Sequence, residues 1–142
     1  MTLNELRHQV LTLDLPRSDY LVFGSAPLLV HRLISQINDV DIVLRGITWD
    51  RFQGLEPKPA KYGDTVILLG DIELYSGWMG MNIDDLFARS TLIDGVRFAS
   101  LEDVLKFKRV LNRPKDRAHM KLIESALAAK SSNLKTSESK LW

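Results

Sequence analysis

Residues 39–44 read Asp-Val-Asp-Ile-Val-Leu, two aspartates one residue apart at the start of an apolar run. It is too short and too β-branched for a helix, and on a strand side chains two apart share a face. Asp39, Asp41 and Val43 therefore take one face, while Val40, Ile42 and Leu44 turn to the core. A sheet built on this strand carries two carboxylates side by side, which packing does not require. Upstream, Tyr20 to Phe23 is a short β-type run that stops at Gly24. Ser25 is suited to cap a following helix, with Ala26 and Pro27 in its first turn and Leu29, Leu33, Ile34 and Ile37 on its apolar face. The spacing predicts strand, tight turn, helix, strand.

The remaining chain supplies partners for that unit. Leu3, Leu6, Val10 and Leu13 recur at helical spacing behind a Thr2 and Glu5 capping box, so an amphipathic helix opens the chain. Gly46 to Asp64 reads as loop, with one helical turn near Trp49 to Gln53. Thr65–Leu69 and Ile72–Ser76 form a hairpin across Gly70-Asp71, and Thr91–Ile93 and Val96–Phe98 a second one across Asp94-Gly95. Between the hairpins, Asp84 to Arg89 is a short helix. A helix from Ser100 through Leu111 breaks at Asn112-Arg113-Pro114, and a last helix runs to about Lys130. The pattern predicts an α+β fold, a small mixed sheet flanked by helices, in a domain of residues 1–130 with a polar tail at 131–142.

Composition narrows the chemistry. The chain has 142 residues, 45% of them hydrophobic, enough for one core. Its 19 Lys and Arg nearly balance 18 Asp and Glu, so no global charge draws it to nucleic acid or membrane. The absence of cysteine removes thiolate nucleophiles, disulfides and cysteine-based zinc sites. No signal pattern opens the sequence, and no apolar run reaches the roughly 18 residues that span a bilayer. The expectation is a soluble cytoplasmic protein with no membrane partner.

Two carboxylates side by side repel unless a cation neutralises them, and Mg²⁺ takes one or two carboxylates and completes its shell with water and phosphate. The Gly24-Ser25 turn offers a phosphate close backbone approach, a hydroxyl and amide donors at a helix start. Across the first hairpin, Glu73 and Tyr75 face away from the core, so Glu73 joins the aspartates if its strand neighbours theirs. Residues 101–121 hold seven Lys or Arg against three acids, among them Lys108, Arg113 and Lys115. Such a bias suits phosphates, although a solvated helix face explains most of it, and Asp116 is placed to pair with a neighbouring base. His8, His31 and His119 lack metal spacing, and Trp49, Phe52 and Trp78 read as core or loop anchors.

Gly24-Ser25, a helix, Asp39-Val40-Asp41 and a later Glu73 together resemble the nucleotidyltransferase superfamily with the DNA polymerase β-like fold. The run from Ser100 to Arg117 further resembles the nucleotidyltransferase-like proteins related to abortive-infection toxins, and the likeness covers roughly residues 20 to 127. It implies that Asp39, Asp41 and Glu73 are catalytic and hold two Mg²⁺ ions, and that Gly24, Ser25 and Lys108 bind the NTP; the basic bias adds Arg113 and Lys115 to the nucleotide-binding set. Glu73, or a metal-bound hydroxide, would act as base. The implied activity moves an NMP from an NTP to a tRNA-like RNA or a protein acceptor, in a toxin–antitoxin or phage-defence setting with a cognate toxin or antitoxin partner. The alternative is an inactive nucleotide-binding or regulatory interaction module of the same fold.

Overall fold

The computed structural model describes residues 1–52, 54–61 and 63–140, with side chains through Ser132. The chain divides into two compact units, the first Met1–Ser100 and the second beginning at Leu101. Pro114, which cannot continue a helix begun upstream, starts a helix that pairs with its predecessor in a hairpin.

The first unit is built on a seven-stranded mixed sheet. Its strands are β1 (Tyr20–Val22), β2 (Val40–Leu44), β3 (Lys58–Pro59), β4 (Thr65–Leu69), β5 (Ile72–Tyr75), β6 (Thr91–Ile93) and β7 (Val96–Phe98), in the order β3-β4-β5-β2-β1-β7-β6. Both expected hairpins form. Gly70 turns the first at φ 61°, and Asp94 and Gly95 turn the second at φ 50° and 84°, the left-handed pair that a two-residue hairpin demands. β1 and β2 run antiparallel, whereas β2 and β5 run parallel. That parallel pairing needs a long connection, and residues 45–71 provide it with a 3₁₀ segment (Gly46–Phe52), β3 and β4. The expected loop thus holds more regular structure than its prolines suggest; Gln53 of the expected turn lies outside the described residues.

Helix α1 (Leu3–Thr12) begins as expected, the Thr2 hydroxyl accepting from the Glu5 amide at 3.4 Å. It buries Leu6 and Val10 against the sheet face formed by Val22, Ile42, Leu44, Leu74 and Phe98. Helix α2 is a correction. It covers only Ala26–Val30 instead of continuing through Ile37. Arg32 adopts φ 60°, and the amides of Arg32 and Leu33 reach back to the carbonyls of Leu29 and Leu28 at 3.0 and 2.8 Å. This is a Schellman stop made without glycine. Ile37 is still buried in the core, delivered by irregular chain.

The opposite sheet face is packed as well. Leu21, Phe23 and Val43 are fully buried there, and Trp78 stacks on Phe23 with ring centroids 4.6 Å apart. Val43 is therefore not a solvent-facing neighbour of the acids. Helix α3 (Ile83–Ala88), capped by Asn82, completes the unit. In the second unit α4 (Leu101–Leu111) pairs with α5 (Pro114–Lys140). α5 runs through most of the expected polar tail; Leu141 and Trp142 lie outside the described residues.

Candidate active site

Strand register assembles the acids. Asp41 and Glu73 are direct partners across the parallel β2–β5 pair, so both carboxylates leave the sheet on one face. Asp39 precedes β2 by one residue and is exposed, where the sequence placed it inside the strand. Asp41 and Glu73 are partly buried.

Gly24 stands against this pair. It follows β1 at φ 66°, and a Cβ built there would overlap the Asp41 carboxylate. The sequence expects a phosphate to approach Gly24; the group that lies against the place of its missing Cβ is the Asp41 carboxylate. Ser25 sits at the N-cap position of α2 with φ −92° and ψ −7°, and its side chain makes no capping hydrogen bond. An N-cap residue is normally extended, and this helical backbone points the hydroxyl elsewhere than the cap. The expected capping role of Ser25 is not realised.

Tyr75, two residues beyond Glu73 on the same face, donates its hydroxyl to Glu73 Oε2 at 2.7 Å. Its ring meets Trp78 edge to face at 5.0 Å. Burial first, then the charge of Asp41 and the hydrogen bond and charge of Glu73, with Asp39 adding to them, push the phenol far above its ordinary range and keep it a donor. The sequence alternation put Tyr75 beside Glu73, but its bond to the carboxylate was not legible there. Farther along β2, an open groove of about 430 Å³ is lined by Leu44, Arg45, Trp49, Ser76, Asn82 and Ile83 among others.

The expected phosphate-binding cations belong to the second unit. Lys108 is fully buried, its Nζ 3.2 Å from Asp116 Oδ1. Burial lowers its pKa against the opposing pull of Asp116. Arg113 puts its Nε 2.6 Å from Asp116 Oδ2, and its backbone amide donates to the same oxygen at 3.1 Å, which caps α5. Burial alone would raise the Asp116 pKa, yet the bonds from Arg113 and Lys108 hold it at about 2. The sequence placed Lys108 on phosphates; its ammonium is instead turned inward onto a carboxylate, and the expected pairing of Asp116 with a neighbouring base is what formed. Lys115 is exposed, as are Lys106, Arg109, Arg117 and Lys121.

Among the described residues no three carboxylate or imidazole groups form a ready-made metal cage. The donor set nevertheless fits Mg²⁺, which needs only one or two carboxylates from protein when water and phosphate fill the rest of its shell. Comparison with protein-family profiles, curated proteins and solved structures found no match.

Proposed function

We propose that this chain is a metal-dependent nucleotidyltransferase of the DNA polymerase β-like fold, moving an NMP from an NTP to a hydroxyl of an RNA or protein acceptor. The observation that carries the reading is the in-register Asp41 and Glu73 pair with Gly24 closed against Asp41. Asp39, Asp41 and Glu73 would hold Mg²⁺, one ion or two. When bound, Mg²⁺ neutralises phosphate charge and stabilises the pyrophosphate leaving group. Glu73 takes the proton of the acceptor hydroxyl as its oxygen bonds to the α-phosphorus and the bond to the bridging oxygen of pyrophosphate breaks. The Gly24-Ser25 turn would present backbone amides and the Ser25 hydroxyl to the triphosphate. Arg113 and Lys115 remain candidates for phosphate contact; Lys108 would have to leave Asp116 first.

The experiment is transfer of label from each of the four α-labelled NTPs, with Mg²⁺, into total RNA or protein, run beside Asp41→Asn. Label in one fraction, lost in the variant, is the expected result. Equal labelling by both proteins removes the reading. The inward-turned Lys108 favours one second reading, a module that binds nucleotide without transferring it. That module predicts NTP binding with no labelled product.

A further inference from the structure

Glu73 lies beside Asp41 by register, but register alone leaves its three side-chain torsions free. Two observations remove that freedom. The Tyr75 hydroxyl holds Oε2 in a 2.7 Å charge-assisted hydrogen bond, and no described residue donates a hydrogen bond to Oε1. The Tyr75 ring is itself clamped, edge to face on Trp78 at 84°, and Trp78 stacks on Phe23. Phe23 adjoins Gly24, the residue whose missing Cβ makes room for the Asp41 carboxylate. One aromatic stack therefore runs from the phenol that holds Glu73 to the turn that holds Asp41.

We propose that Tyr75 is a positioning residue for cation binding, its hydroxyl orienting the Glu73 carboxylate so that one oxygen stays available beside Asp41. The proposal rests on the reading above only in placing a cation at these carboxylates. Outer partners of metal-ligating groups typically contribute 10–100-fold in affinity. Tyr75→Phe removes the hydroxyl and leaves the ring stack, so it separates orientation from packing.

The test uses the full chain at constant pH with Tb³⁺, a hard oxygen-seeking probe excited directly so that aromatic sensitisation plays no part. Its luminescence lifetimes in H₂O and D₂O count the waters left on the ion. The native protein is expected to bind Tb³⁺ saturably, with Mg²⁺ competing, and Asp41→Asn to lose that site. Tyr75→Phe should bind roughly tenfold more weakly and retain more water on the ion. Glu73→Gln, which also removes the charge, should bind at least as weakly, and adding Tyr75→Phe to it should weaken binding no further, because Tyr75 acts only through the Glu73 carboxylate. Native affinity and hydration in Tyr75→Phe, with the native site intact, overturn the positioning role and leave the transferase reading standing. A native protein with no Mg²⁺-competed site overturns both. Circular dichroism melts of Tyr75→Phe close to native exclude misfolding as the cause.

Discussion

At the scale of single residues, Gly24 is where fold and proposed chemistry meet. Its φ of 66° is one that L side chains rarely adopt, and the space a Cβ needs is held by the Asp41 carboxylate. Gly24→Ala must therefore strain the turn and displace the Asp41 carboxylate of the proposed site. The expected loss is roughly 1–3 kcal/mol of stability, read from the urea midpoint, together with loss of cation binding. An unchanged urea midpoint in Gly24→Ala would show that the turn tolerates a side chain there and that Asp41 moves aside at no cost. Much of this site was legible beforehand: alternation along residues 39–44 and 72–75 put Asp41 and Glu73 on non-core faces. What sequence could not supply was the strand order. The pairing of β2 with β5 depends on a connection of 27 residues, 45–71, whose path is set by tertiary packing.

Elements differ in how far local chemistry determines them. Asp94-Gly95 specifies its hairpin because both positions need a positive φ, and Thr2 with Glu5 specifies the start of α1. α2 escaped the same reasoning because its stop is Arg32, a residue with no intrinsic preference for the left-handed region. The α4–α5 hairpin escaped it differently, since basic residues in sequence do not reveal which of them turns inward. Lys108 and Asp116 meet inside, and Arg113 closes over the carboxylate. This arrangement has a pH signature. The folded pKa of Asp116, about 2, lies below the ordinary 3.8, so its ionised form stabilises the hairpin above about pH 4. That contribution, roughly 2 kcal/mol, is lost as pH falls from about 4 toward 2. Urea denaturation followed by helical signal at stepped pH should show the native protein losing about that much more than Asp116→Asn over this window. Parallel pH curves for the two proteins would mean that the pair contributes no net ionisation free energy.

For the whole molecule, the constellation of Asp39, Asp41, Glu73 and Gly24 belongs entirely to the unit Met1–Ser100, while Lys108, Arg113 and Lys115 belong to the unit that follows. Nucleotide recognition by the first unit's turn and carboxylates alone should then survive loss of second-unit cations. A ligand that binds only the folded state raises its stability by about 2.7 kcal/mol at a hundred times Kd, enough to move a melting temperature by several degrees. NTP with Mg²⁺ should produce such a shift in the native protein and in Lys115→Ala, and none in Asp41→Asn. NTP without Mg²⁺ should shift the native protein less, because the carboxylates then repel the triphosphate instead of sharing a cation with it. A shift lost in Lys115→Ala but kept in Asp41→Asn would move nucleotide binding to the second unit. The carboxylate pair would then be a structural feature of the sheet. No shift with any NTP in the native protein would remove both the transferase and the nucleotide-binding readings, leaving a protein-interaction role for the same fold.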